Sequence, residues 1–156
     1  MKRDQIEVIR SYRKLNFYSS FKKDVSNSEY LEQVKNLKHR QALAKLRAGN
    51  HNLRIESGRH CTPKLPETLR IFQYCSNQIE NEMHFLFHCD RYNNIRQQVT
   101  NDIIKKYPKY DSFNNTEKTI FLFNNADNFI CKKLGYFMLY TDHNFEDTIN
   151  ATHYSF

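Results

Sequence analysis

Turn-forming residues are scarce in this chain: three glycines and three prolines are spread over 156 residues, and tryptophan is absent. So few breakers exclude a fold of many short strands joined by tight turns and predict long helices instead. The longest apolar runs, Thr119 to Phe123 and Gly135 to Tyr140, are far short of a membrane span. There is no Asp-Asp pair to hold two Mg²⁺ for a polymerase, no glycine-rich loop to cradle a phosphate, and no serine or cysteine in a nucleophile motif. An enzyme is therefore not expected, nor a small-molecule substrate. The start, Met1-Lys2-Arg3-Asp4-Gln5, is polar and helix-forming and does not read as a secretory leader. The four cysteines are thus expected as reduced thiols in the nucleus or cytoplasm, neither secreted nor membrane-bound.

What is present is charge and rings. Apolar residues make up only 39% of the chain, yet twelve Phe and ten Tyr supply an aromatic fraction of 14%, so the core must be built on rings. The net charge of +7 is unevenly spread. Residues 1 to 60 hold fourteen Lys or Arg against six Asp or Glu, and residues 61 to 156 hold ten against eleven. All the excess positive charge lies in the first part, which favours a polyanion as its partner.

Periodicity divides the chain into a basic helical region (1–60), a ligand-rich hairpin with a following helix (61–107), and a C-terminal helical region with a frayed tail (108–156). A first helix is predicted from Asp4 to Phe21, with Ile6, Ile9, Arg13 and Phe17 on one face. Ser26-Asn27-Ser28-Glu29 reads as a capping box for a second helix that runs to Ala48 and stops at Gly49-Asn50. On it Lys35, Lys38 and Lys45 share one side and Arg40 and Arg47 a neighbouring one; with Arg54 and Arg59 they form the candidate phosphate-binding set. His39 and His51 are expected at the same basic surface. Gly58, Pro63 and Pro66 interrupt periodicity between His51 and Arg70, the expected hinge. Further helices are predicted over Arg91 to Tyr107, Thr116 to Phe123 and Asp127 to Tyr140. The expected fold class is mostly α, a small helical domain of about five helices with a short, irregular, zinc-hairpin-like segment in the middle.

That segment, Cys75-Ser76-Asn77-Gln78-Ile79-Glu80-Asn81-Glu82-Met83-His84-Phe85-Leu86-Phe87-His88-Cys89, places two thiols and two imidazoles within fifteen residues. Thiolate and neutral imidazole are the ligands that a tetrahedral Zn²⁺ site takes. Cys75, His84 and Cys89 are the candidate ligands. The position three before Cys75, where a zinc hairpin would carry its first cysteine, is Phe72. A fourth ligand could come from His88, one helical turn after His84, or from His60 or Cys61 in the loop. The reading preferred on the sequence is that Phe72 fills the vacated place by hydrophobic packing, leaving two buried thiols and a satisfied histidine, with the site degenerate. Loss of one ligand of four removes a large share of a binding energy of about 10 to 16 kcal/mol.

Taken together, Asn36-Leu37-Lys38-His39-Arg40, the run Leu46-Arg47-Ala48-Gly49-Asn50-His51-Asn52-Leu53-Arg54-Ile55-Glu56-Ser57-Gly58-Arg59, and the block from Asn77 to Cys89 resemble one family. It is the C-terminal zinc-binding region of reverse transcriptases from LINE-like, non-LTR retrotransposons. The resemblance spans Phe17 to Arg96. The family pattern is Cys-x2-Cys, a short turn, then Glu-x3-His-x4-Cys, with an Arg soon after. Cys75, Glu80, His84, Cys89 and Arg96 match the later positions, and Phe72 departs from the first. The resemblance implies a detached, non-catalytic nucleic-acid-binding piece of a retrotransposon protein, with RNA or DNA and a reverse transcriptase polypeptide as partners.

Two functions remain open on the residues alone. In one, the basic N-terminal region grips RNA or DNA backbone, with tyrosine and phenylalanine rings as stacking surfaces. In the other, the chain is a helical interaction or scaffold fragment that exposes an apolar face and binds no nucleic acid. Steep salt dependence of polynucleotide binding marks the first, and self-association without it the second.

Overall fold

Helices dominate, as the scarcity of glycine and proline predicts. The structure, a computed structural model, describes residues 2–22, 28–72, 75, 78–125 and 127–152, the first five and last eleven of these by backbone alone. Among them no strand forms; one antiparallel bridge joins Ile71 and Ile79. The α-helices are α1 (Lys2–Ser11), α2 (Asn16–Phe21), α3 (Tyr30–Gln33), α4 (Leu37–Arg47), α5 (Arg54–Ser57), α6 (Asn93–Lys106), α7 (Asn115–Asn124) and α8 (Asn128–Thr152). They are more numerous than the five expected, because the two predicted N-terminal helices are each broken, for reasons that lie in the core.

The expected first helix is broken at Tyr12, whose backbone is extended, and resumes as α2 after a 3₁₀ turn. The break lets α2 turn Phe17 and Phe21 fully inward while Tyr12 and Arg13 stay in solvent. The expected second helix is broken likewise at Val34, which leaves helical geometry and is completely buried. Asn36 then restarts the chain as α4, its side chain accepting from the His39 amide. Ser26 and Asn27 of the expected capping box lie outside the described residues. In both places a buried side chain off the helical face outweighs local propensity.

The stop after α4 is as expected. Gly49 takes a left-handed φ of 63°, and the Asn50 amide donates to Lys45 O at 2.8 Å while the Gly49 amide donates to Leu46 O. This is the six-to-one and five-to-two pairing of a Schellman motif. A Cβ on Gly49 would also meet Lys14 O at 2.7 Å, so the turn packs against the N-terminal segment.

The stretch expected as a hinge is crossed by hydrogen bonds. Arg70 is buried and its guanidinium donates to Ile55 O and twice to Leu65 O at 2.9 to 3.1 Å. The Leu65 amide closes on Gly58 O. Three carbonyls that would lose water on burial are thus satisfied by the neighbouring chain. The C-terminal helix also exceeds expectation: α8 runs on to Thr152 where fraying from Thr141 was predicted.

One aromatic-rich core draws from all three stretches of the sequence, with Phe17, Phe21, Phe72, Phe85, Tyr92, Phe123 and Phe137 buried in it. Helix α8 packs against α4, and Gly135 lets the two approach closely, since a Cβ there would meet His39 Cβ at 2.7 Å. Helix α6 also packs against α8, and Phe85 of the ligand-rich segment joins the rings of Tyr92 and Phe137 in the core.

Candidate metal centre and basic surface

Over its described residues the Cys75 to Cys89 segment is a turn followed by a helix, the form predicted. The loop is closed from both sides: the Phe72 amide donates to Gln78 O, the Glu80 amide to Arg70 O, and the Cys75 amide to Phe72 O. Cys75 sits inside this closure and is buried. Glu80 anchors the loop's exit, its carboxylate accepting from the Arg54 amide at 2.9 Å while its own carbonyl receives the Ile55 amide. Burial pushes the Glu80 carboxyl up to about 7, against the lowering effect of the Arg54 amide; its other oxygen is buried without a partner.

His84 and Cys89 are five residues apart, which on an α-helix would set them about 140° apart at 3.6 residues per turn. The chain avoids this by widening into a π turn over His84–His88, closed by the Cys89 amide donating to His84 O at 2.8 Å. Such turns concentrate at functional sites. The guanidinium of Arg96 caps the end of the turn, donating to Leu86 O at 2.8 Å and Cys89 O at 2.6 Å.

The result is a convergence of three buried candidate ligands. One ligand atom from each of Cys75, His84 and Cys89 lies within 4.8 Å of the others. Gln78 Oε1 lies 2.9 Å from His84 Nδ1. An amide oxygen only accepts, so Nδ1 carries the proton and Nε2 presents its lone pair. Nε2 is buried and has no hydrogen-bond partner. The expectation of a satisfied histidine is thus corrected: half of the imidazole is satisfied, in the manner of a metal-binding histidine held by its outer nitrogen. Burial lowers the His84 pKa, with His88 and Arg96 adding to it, and pushes the Cys89 thiol up to about 11 beside Cys75. A bound cation reverses that preference for neutral thiols.

Phe72 does fill the missing cysteine's place by packing: it is buried and stacks on Tyr92 with ring centroids 6.4 Å apart. The substitutes considered for the fourth ligand lie elsewhere. His88 Nε2 bonds the Asn115 side chain at 3.0 Å, Cys61 Sγ donates to Ser57 O, and His60 is exposed outside the cluster. Beside the cluster instead is Asp90, its Oδ2 4.0 Å from Cys75 Sγ. Sequence spacing offered no signal for Gln78 or Asp90 beyond their closeness to Cys75 and Cys89.

The basic set divides. Lys35, Lys38 and Lys45 are exposed, and Arg10, Arg13 and Lys14 add exposed charge from the N-terminal segment. Arg47 is not at the surface: only 6% exposed, it donates to Phe123 O at 2.6 Å and Ser28 Oγ at 3.3 Å. Its guanidinium lies over the rings of Tyr30, Phe21, Phe123 and Tyr18 at 4.6 to 5.9 Å. Arg40 donates to Leu31 O, and Arg59 pairs with the buried Glu56 at 3.1 Å; Arg54 is half-buried. His51 is likewise inside, paired with Glu82 at 3.1 Å, and His39 has a buried Nδ1 against Gly135.

No family model, curated protein or solved structure matches the chain.

Proposed function

We propose that the chain is a non-catalytic nucleic-acid-binding module whose ligand-rich segment holds one structural Zn²⁺. Cys75 Sγ, Cys89 Sγ and His84 Nε2 would hold the ion, a soft two-sulfur, one-nitrogen donor set suited to zinc. Such an ion supplies folding energy by fixing the loop to the helix, with Gln78 and Arg96 holding the ligands in place. The observation that carries this half of the reading is the convergence of His84, whose buried Nε2 has no hydrogen-bond partner, with two buried thiols.

The polynucleotide half rests on charge: the positive excess of the first sixty residues, with Lys35, Lys38 and Lys45 exposed on and before α4. Lysines on an exposed face contact phosphates as point charges and read no sequence. Binding is tested by fluorescence anisotropy of short RNA and DNA probes across a salt series. Log affinity is expected to fall linearly with log salt, by about 0.9 per duplex contact or 0.7 per single-strand contact. Replacing Lys35, Lys38 and Lys45 together by Gln lowers that slope by about two to three contacts' worth. Salt-independent binding, or none, overturns the reading.

A second reading, a helical interaction fragment, is favoured by one observation: Leu31, Leu37, Tyr136 and Tyr140 are each roughly half exposed on the paired α3, α4 and α8. Concentration-dependent self-association without polynucleotide binding is its signature.

A further inference from the structure

Cys75, His84 and Cys89 leave one corner of a tetrahedron open, and the residue that would close it in a complete hairpin is an apolar ring, Phe72, turned into the core against Tyr92. We infer that the Asp90 carboxylate takes the fourth position, giving a Cys₂HisAsp centre; the inference rests on the zinc reading above. Three observations carry it. Asp90 Oδ2 lies 4.0 Å from Cys75 Sγ, close to the ~3.6 Å that separates sulfur and oxygen on a tetrahedral zinc with ordinary bond lengths. Asp90 follows Cys89 directly, at the start of the 3₁₀ turn that leaves the π turn, so its backbone is fixed by the same segment that fixes two of the ligands. The other nitrogen and sulfur donors weighed for this place are turned to Asn115 and Ser57 or stand in solvent.

Asp90 stands at the rim: its carboxylate is outside the group whose atoms all lie within 4.8 Å of one another, so it must rotate inward to ligate. It is exposed, and an exposed side chain rotates without displacing packed neighbours. The consequence is a centre with three ligands in the core and one at the surface. An ion held this way is reached by solvent along the Asp90 side alone, and exchanges faster than one held by four buried ligands.

Titration of the full chain with Co²⁺ tests this, because thiolate-to-metal charge-transfer intensity counts the sulfurs and the visible bands report four-coordination. Wild type is expected to bind one Co²⁺ with a two-thiolate, four-coordinate spectrum. Asp90→Cys should raise the charge-transfer intensity by about half, as a third thiolate joins the first two. Asp90→Ala should weaken Co²⁺ binding by about 100-fold or more, and adding Phe72→Cys to it should restore tight binding through the hairpin position. Asp90 is exposed, so these single variants should keep the wild-type circular dichroism. Unchanged affinity in Asp90→Ala, or two-thiolate intensity in Asp90→Cys, overturns the fourth-ligand assignment while leaving the three-ligand centre standing. A wild type that binds no Co²⁺ overturns both.

Discussion

The basic helix and the ligand-rich loop were equally suggestive on paper, and they fared differently once folded. On α4 the arginine that completes the charged stripe, Arg47, goes inward to bond Phe123 O and to lie among four aromatic rings. In the loop, the three main candidate ligands converge, with one ligand atom from each of Cys75, His84 and Cys89 within 4.8 Å of the others. The difference is one of alternatives. A guanidinium is amphipathic, satisfied equally by phosphate, carboxylate or carbonyl oxygens over an aromatic face, so its sequence position does not say which it meets. Two thiols and an imidazole spaced across a turn have fewer ways to be useful once buried.

The largest effect expected from this contrast is at Phe72. Phe72→Cys restores the hairpin thiolate and should tighten zinc by about 100-fold or more, read by competition with a chromophoric chelator. The same change opens a hole beneath Tyr92, and the metal-free variant should unfold about 3 kcal/mol more easily in urea. A gain in zinc affinity without loss in the metal-free state would mean that Phe72 contributes little to the core.

Arg47→Ala comes next. It leaves Phe123 O without its buried donor and empties the space among the rings, so about 3 kcal/mol of stability is expected to be lost in denaturant melts. Lys45→Ala, two positions away but exposed, should change stability by less than about 0.5 kcal/mol. Equal losses at the two positions would erase the distinction between a structural arginine and a surface lysine.

Glu80 sharpens the loop side. Its carboxyl titrates near 7 in the folded chain against an ordinary 4.5, so the folded state holds the proton more tightly. Its contribution is therefore fully present below pH 4.5 and is lost as pH rises through 7. Wild-type stability should fall across that window by no more than about 3 kcal/mol, at 1.36 kcal/mol per pH unit. Glu80→Gln keeps an acceptor for the Arg54 amide and should flatten the decline, as followed by urea melts at several pH values. A decline that is the same in both proteins would assign the titration to another group.

Much of this was legible in the sequence. Mostly helical architecture followed from sparse glycine and proline, and the α4 stop followed from Gly49-Asn50 because only a left-handed residue permits that turn. The breaks at Tyr12 and Val34 were not legible, since each is fixed by where Phe17, Phe21 and Val34 find the core rather than by any local breaker. The three candidate ligands were readable in the sequence. Gln78, which holds the His84 tautomer, and Asp90 were not, because polar residues beside a ligand are common and only geometry distinguishes those that face it. The three hydrogen bonds of Arg70 across the expected hinge were not legible either, because glycine and proline mark that stretch only as irregular.

The convergence of Cys75, His84 and Cys89 is the centre of the account, and native mass spectrometry of protein purified without chelator tests it most directly. The predicted result is a folded chain carrying one zinc, with the zinc lost in His84→Ala and retained in His88→Ala. A folded chain that stays metal-free after zinc is supplied, or one whose zinc survives His84→Ala, would contradict it.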